Sequence, residues 1–139
     1  MSFLIDTNVL SELRKRHRAN VAVLAWAASA GWSSFHASWI SIAEMKRGAA
    51  LARRNDRVQA ASLEVWIGEI VQRLGDRVLP VEKRIAELWA EFMVPDPRPP
   101  FDALIAATAH AHGLTLVTRN VRDFAPMNVP ILDPWNLAT

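Results

Sequence analysis

The sequence contains no cysteine, and this absence excludes several kinds of site. Without a thiol the chain can form neither a disulfide bond nor a thiolate–zinc site. A chain without disulfides is compatible with a reducing compartment, and we therefore expect a cytoplasmic location.

Long apolar runs and a strong charge imbalance are also missing. No run approaches the roughly 18 apolar residues of a membrane-spanning helix, and Asp6 interrupts the apolar start too early for a signal peptide. The formal net charge is only +2, although most basic groups are arginines, which favour contacts with phosphates and carboxylates. With 139 residues, 51% of them hydrophobic, we expect one globular domain over residues 1–139 with no membrane association.

Strand and helix patterns alternate along the chain. The apolar tripeptide Phe3–Ile5 predicts a buried strand. Helical patterns cover about residues 8–15, 21–30, 56–74, 85–93 and 101–112, and the segment "FHASWIS" predicts a strand that runs into a helix at Ser41. Further strand or extended patterns lie at 77–81, 114–118 and 129–134, with a turn or short helix at 119–124. We therefore expect an α/β fold with a central, mainly parallel β-sheet flanked by α-helices.

Four acidic residues lie where these elements meet. Asp6 ends the first strand, and Glu44 lies in the first turn of the helix after the second strand. Asp102 opens a helix after a proline-rich loop, and Asp123 follows the strand that ends at Thr118. Because parallel sheets bind ligands outside the carboxyl ends of their strands, the four carboxylates form one candidate site.

Each acidic residue also has a purely structural interpretation. Asp6 could cap its helix, Glu44 could be the acid of a Ser41-x-x-Glu44 capping box, and Asp102 could complement a helix dipole. Asp123 could simply be solvated. Four carboxylates at one edge repel one another, however, and a divalent cation removes this conflict. Ligand sets made only of oxygen select Mg²⁺ or Mn²⁺.

The acidic residues occur within four segments, "LIDTNVLSEL", "SIAEMKRG", "FDALIAATAHAHGLTLVTRNVRDF" and "VPILDPW". In this order and spacing the segments resemble the PIN-domain ribonucleases, specifically the VapC/FitB-like toxins of type II toxin–antitoxin pairs. The resemblance implies a PIN-like fold and hydrolysis of RNA by a water molecule that Mg²⁺ or Mn²⁺ activates. It also implies that Asp6 and Asp102 are the principal metal ligands, with Glu44 and Asp123 completing the cluster directly or through water.

The same resemblance assigns supporting residues and partners. Asn8 and Thr118 would orient Asp6 and the substrate phosphate, and Asn120 would shape the loop after its strand. The expected partners are an RNA substrate, a cognate VapB/FitA-like antitoxin that binds a groove near the carboxylates, and a second copy of the chain in a homodimer.

Two other functions remain compatible with the sequence. A metal-dependent phosphatase would use Asp6 as its nucleophile, although such enzymes usually carry a second aspartate where this chain has Asn8. A non-catalytic PIN-like module would only bind RNA or protein, and it would leave four carboxylates together without a metal to compensate them.

Two further features have no assigned role. The basic segment Arg14–Arg18 is either a solvated helix end or a contact for the RNA backbone. Among six tryptophans, Trp66 and Trp89 lie on apolar stripes and are expected in the core. The other tryptophans are candidates for an interface, which is consistent with a homodimer.

Overall fold

A computed structural model describes residues 1–137 and contains a five-stranded sheet in the order β3-β2-β1-β4-β5. The strands are β1 (Phe3–Ile5), β2 (Phe35–Ser38), β3 (Val78–Leu79), β4 (Thr115–Val117) and β5 (Ile131–Leu132). All neighbouring strands are parallel, which confirms the predicted fold class. The expected domain bounds, 1–139, include residues 138–139, which lie outside the described part of the chain.

Seven α-helices connect and flank the strands of residues 1–137. They are α1 (Thr7–Arg14), α2 (Val21–Ala30), α3 (Trp39–Ala52), α4 (Arg57–Leu74), α5 (Lys83–Phe92), α6 (Pro100–His112) and α7 (Val121–Phe124). One hydrophobic cluster packs α1 to α4 against one side of the sheet, and a second cluster lies around α6 and β4. Within residues 1–137, no helix combines the length and the apolarity that crossing a membrane requires.

Both ends of α2 lie at residues that favour a helix terminus, Asn20 before the helix and Gly31 after it. The side chain of Asn20 accepts hydrogen bonds from the backbone N–H groups of Ala22 and Val23, so it caps the first turn. Gly31 follows the helix with a φ of 80°, a conformation that glycine adopts without steric cost. These two residues explain why the predicted bounds of this helix are confirmed.

The predicted capping box at Ser41 is wrong. Helix α3 begins earlier, at Trp39, and Ser38 Oγ accepts a hydrogen bond of 3.0 Å from the backbone N–H of Ile40. Ser38 has the extended backbone that a capping residue requires, whereas Ser41 is buried inside the helix. Glu44 is therefore not needed to cap α3, and its side chain is directed elsewhere.

Trp26, Trp66 and Trp89 differ from the expectation, whereas Trp39 is exposed as an interface candidate would be. Trp26 lies in the core, stacked on Phe35 at a ring separation of 5.3 Å. Trp66 and Trp89 are only half-buried, because each packs at the margin of a hydrophobic cluster instead of inside it. Trp39, with 43% of its surface exposed, projects into solvent beside the carboxyl end of β2.

Candidate active site

Asp6 is held at the carboxyl end of the central strand. Its backbone N–H donates to the carbonyl of Val117 at 2.9 Å and so extends the β1–β4 pairing by one residue. Its side chain is only 5% exposed, and Oδ1 accepts a hydrogen bond of 2.8 Å from the backbone N–H of Thr7. Asp6 therefore caps α1, as the structural interpretation proposed, and also presents its carboxylate at the edge of the sheet.

A hydrogen-bond network from β4 holds the other oxygen of this carboxylate. The hydroxyl of Thr118 donates to Asp6 Oδ2 at 2.8 Å, and Asn8 Nδ2 lies 3.4 Å from the same atom. Asn8 Nδ2 is also 3.3 Å from Thr118 Oγ1, while Asn8 Oδ1 accepts from the backbone N–H of Arg119. The parallel pairing of Ile5 with Val117 brings these distant residues together.

Glu44 reaches the same edge from α3. Its Oε1 accepts a hydrogen bond of 3.1 Å from the hydroxyl of Thr7, and the side chain is half-buried. Sequence reasoning missed Thr7, although its position directly after Asp6 offered a signal. Its backbone N–H binds Asp6 and its hydroxyl binds Glu44, so one residue connects two of the carboxylates.

Asp102 and Asp123 occupy more open positions. Asp102 lies in the first turn of α6, half-buried, and lines a hollow of about 280 Å³ with Pro99, Pro100 and Phe101. No hydrogen bond to the Asp102 side chain forms within residues 1–137. Asp123 is exposed on the short helix α7.

Asn120 acts through its backbone. Its N–H donates to Thr118 Oγ1 at 3.0 Å, and its carbonyl accepts from the N–H of Asp123 at 3.1 Å. The Asn120 side chain makes no capping hydrogen bond to α7. The position therefore connects the strand end to the helix that carries Asp123.

The carboxylates influence one another electrostatically. Burial raises the pKa of Asp6, and the charge of Glu44 raises it further, against the hydrogen bonds from Thr118 and Thr7. Burial also raises the pKa of Glu44, with a smaller contribution from Asp102. The pKa of Asp102 is raised by burial and then by the charges of Asp6 and Asp123. Glu44 thus raises the pKa of Asp6, Asp102 raises that of Glu44, and Asp6 and Asp123 raise that of Asp102.

The chemistry of this acidic cluster fits a divalent cation. The two ion pairs among residues 1–137 are Lys15–Glu12 and Arg53–Glu64, so neither compensates the four carboxylates. Asp6 Oδ1 keeps a lone pair beyond the one that Thr7 occupies. In the described part of the chain, no three His, Asp or Glu side chains are grouped closely enough to enclose an ion in this conformation.

Comparisons with known proteins agree with this geometry. The family model PIN domain matches residues 3–128. VapC ribonuclease Y4jK of Sinorhizobium fredii is 33% identical over 142 residues, which cover 97% of this chain and 99% of that protein. Toxin FitB of Neisseria gonorrhoeae is 31% identical over 138 residues, with coverages of 96% and 98%.

A solved structure gives the same result. The crystal structure of FitAcB from Neisseria gonorrhoeae superposes on this chain with a TM-score of 0.86 and 30% identity, covering 97% of this chain and 99% of the other. The family model covers most of the sequence, from the first strand to the segment after α7. This chain belongs to the PIN domain family.

Proposed function

We propose that this protein is a metal-dependent endoribonuclease, the toxic component of a type II toxin–antitoxin pair, with Mg²⁺ as its cofactor and Mn²⁺ as a substitute. The observation that carries the proposal is the buried Asp6 carboxylate, fixed at the end of β1 beside Glu44 and Asp102. The names of two similar proteins, VapC ribonuclease and Toxin FitB, support the reaction and the biological role.

The residues that would hold the metal are those of the acidic cluster. Asp6 and Asp102 are the proposed principal ligands, and Glu44 and Asp123 complete the set directly or through water. When bound, the cation lowers the pKa of a water molecule and neutralises charge that develops on the scissile phosphate. A cation also offsets the repulsion and desolvation that raise the pKa values of the cluster.

The surrounding residues orient this cluster. Thr118 and the backbone of Thr7 fix the two oxygens of Asp6, so the carboxylate cannot rotate away from the edge of the sheet. Asn8 binds both Asp6 and Thr118, which makes it a support for the cluster and a poor substitute for the second aspartate of a phosphatase. Such supporting hydrogen bonds typically contribute about 10- to 100-fold to metal affinity or activity.

Cleavage of a single-stranded RNA by the purified protein tests the proposal. We expect cleavage with Mg²⁺ or Mn²⁺ and none with EDTA. Asp6→Asn keeps the shape of the side chain but removes a charged ligand, so cleavage should fall by about two orders of magnitude or more while the protein still folds. Asp76→Asn, an exposed aspartate outside the cluster, is the matched control and should retain full activity.

Two results would count against the ribonuclease proposal. EDTA-resistant cleavage would show that the metal is not required. Equal cleavage by wild type and Asp6→Asn would assign the activity to another site or to a contaminating nuclease.

We also propose that the chain forms a homodimer and is inhibited by a VapB/FitA-like antitoxin. Exposed apolar side chains provide surface for such contacts, and they include Trp39, Val58 and Phe101. Light scattering and co-expression with the product of the adjacent gene test these partners. A monomer at high concentration that captures no such product would contradict the partner proposal and leave the ribonuclease proposal intact.

A further inference from the structure

We propose that Arg119 binds a phosphate of the RNA strand beside the scissile bond, and that Trp135 positions the guanidinium for this contact. The inference rests on the proposed ribonuclease function and deepens it, because it names a cationic substrate contact next to the acidic cluster.

The backbone of Arg119 is part of the site. Arg119 directly follows Thr118, whose hydroxyl is 2.8 Å from Asp6 Oδ2. Its own N–H donates to Asn8 Oδ1 at 3.3 Å, and the amide group of Asn8 contacts Asp6 in turn. The backbone of Arg119 is therefore held in a fixed position relative to the carboxylate of Asp6, which we propose as a metal ligand.

The side chain of Arg119 lies over an aromatic ring. Its guanidinium carbon is 4.9 Å from the centre of the Trp135 ring, a cation–π distance. Trp135 is half-buried, packs against the main hydrophobic cluster, and donates its backbone N–H to Asp133 Oδ1 at 2.9 Å. The ring is thus a supported surface on which the guanidinium rests.

This arrangement leaves the donors of the guanidinium available. Within residues 1–137, the hydrogen bonds of Arg119 involve its backbone N–H, and its guanidinium forms neither a hydrogen bond nor an ion pair. The residue is exposed. Because the contact with the ring uses no N–H group as a hydrogen-bond donor to an oxygen, these groups remain free to bind two oxygens of one phosphate.

The acidic cluster creates a need for such a group. RNA carries one negative charge per phosphate, and it must approach four carboxylates that a single bound cation does not fully neutralise. Arg119 supplies positive charge at the border of the cluster. Its charge also contributes to the lowered pKa of Glu12, which results mainly from the hydrogen bond of Lys15.

Phosphate fits these observations better than a protein carboxylate does. The group that must enter the cluster during hydrolysis is a phosphate, and the backbone of Arg119 adjoins the network that holds Asp6. An arginine over a rigid ring presents two parallel N–H groups, which match the oxygens of a phosphate. We therefore assign the contact to the RNA strand, and the experiment below separates it from a contact with a protein partner.

Binding of a fluorescent 12-nucleotide RNA in Mg²⁺, in an Asp102→Asn background that prevents cleavage, tests the contact directly. Arg119→Gln should weaken binding about tenfold, as expected for the loss of hydrogen bonds to a charged group. It should also reduce the slope of log affinity against log salt by about 0.7, the value for one phosphate on a single strand. Arg119→Lys should keep the slope, since its charge remains, and lose part of the affinity. Arg54→Gln, at an exposed arginine in the turn after α3, should change neither quantity.

A double-mutant cycle tests the role of Trp135. Trp135→Phe keeps an aromatic face and should bind RNA nearly as well as the parent protein, whereas Trp135→Leu should bind several-fold more weakly. If the ring acts through the arginine, Trp135→Leu has no further effect in the Arg119→Gln background. Melting temperatures identify any variant whose loss of affinity reflects unfolding. If Trp135→Leu is unfolded, Trp135→Phe is used in the cycle instead.

In the cleavage-competent protein, Arg119→Gln should raise KM about tenfold and change kcat by less than about twofold, because the contact lies beside the reacting bond. Unchanged RNA affinity and salt slope in a protein that cleaves RNA would overturn the inference and leave the proposed function standing. Unchanged RNA affinity with loss of binding to a protein partner would also overturn it, by reassigning Arg119 to that partner. Failure of the wild type to cleave any RNA with Mg²⁺ or Mn²⁺ would overturn the proposed function and this inference together.

Discussion

Asp6 and Asp102 are the same residue type at the starts of two helices, yet their surroundings differ sharply. Asp6 is 5% exposed and hydrogen-bonded through both carboxylate oxygens, whereas Asp102 is half-exposed beside a hollow and has no such bond in residues 1–137. Burial raises the pKa of both groups, but only Asp6 has hydrogen bonds that oppose the rise. The carboxylate of Asp6 is thus fixed by the protein itself, whereas the carboxylate of Asp102 can change its orientation.

This difference indicates that Asp6 and Asp102 have different roles in the proposed site. A carboxylate with fixed oxygens sets the position of a bound cation, and a less restrained carboxylate can adapt to the cation and substrate. The neighbours account for the contrast. Asp6 continues a buried strand paired on both sides, while Asp102 follows a proline-rich loop at the surface.

Lengthening each carboxylate by one methylene gives the largest expected contrast. Asp6→Glu should lower the rate of RNA cleavage by about 100-fold or more, since the longer side chain cannot keep its bonds to Thr7 and Thr118. Asp102→Glu should lower it by only about tenfold, because the adjacent hollow has room for the extra group. The rates of both variants on one RNA measure this, and equal losses would remove the proposed division between the two carboxylates.

Removing the hydroxyl of Thr118 should give the next largest effect. Thr118→Val preserves the buried shape but leaves Asp6 Oδ2 with only the longer contact to Asn8 Nδ2, and it leaves the N–H of Asn120 without its acceptor. We expect cleavage to fall by about tenfold and metal affinity to weaken. Thr118→Ser retains the hydroxyl and should recover most activity. A Val variant that is as active as the wild type would show that the hydroxyl does not position Asp6.

Ionisation of Asp102 should make the folded protein less stable as pH rises. An acid whose pKa is lowered by a salt bridge has the opposite effect. The pKa of Asp102 is raised in the folded protein above its ordinary value of 3.8, so its stabilising contribution is complete below pH 3.8 and is lost as pH rises through the folded pKa. In EDTA, Asp102→Asn should therefore match the wild type in acid and melt higher at pH 7, by on the order of 2 °C.

Saturating Mg²⁺ should reverse this order at pH 7, because the cation stabilises the wild type by binding its folded state. Melting curves at several pH values, with and without Mg²⁺, measure both effects. A variant that melts lower than the wild type in EDTA at neutral pH would contradict the raised pKa.

The smallest effect is expected at Asn120. Its contacts to Thr118 and Asp123 use backbone atoms, which any residue supplies. Asn120→Ala should therefore change the cleavage rate by less than about twofold, within the range of surface substitutions. A larger loss, measured at saturating RNA, would assign the amide side chain a role in the reaction.

The sequence alone predicts those parts of the fold that depend on local signals. The apolar run Phe3–Ile5 and the cap and stop residues of α2 identify their elements almost to the residue. The predicted capping box was wrong because two serines, Ser38 and Ser41, lie about one helical turn apart. Only the end of strand β2 determines which of them precedes the helix. The exposure of Trp66 depended on how helices pack, which a stripe of apolar residues does not specify.

The sequence places candidate residues at one edge of the sheet, but it does not specify the contacts between them. Strand ends in a parallel sheet bring Asp6 and the residues after β4 to one edge, whatever the register. The bond from Thr7 to Glu44 depends on how α3 leaves β2, and the position of Arg119 over Trp135 depends on the pairing of β4 with β5. These contacts arise from tertiary packing between segments that are distant in sequence.

The separation between Asp6 and Thr118 has a consequence for the order of events during synthesis. These residues are 112 positions apart, and their hydrogen bond forms only when β4 has inserted beside β1. A ribosome that has produced the first hundred residues has synthesised three of the five strands, but not the one that fixes the central aspartate. The hydrogen bonds that fix Asp6 therefore stay incomplete until β4 has been synthesised and has paired with β1.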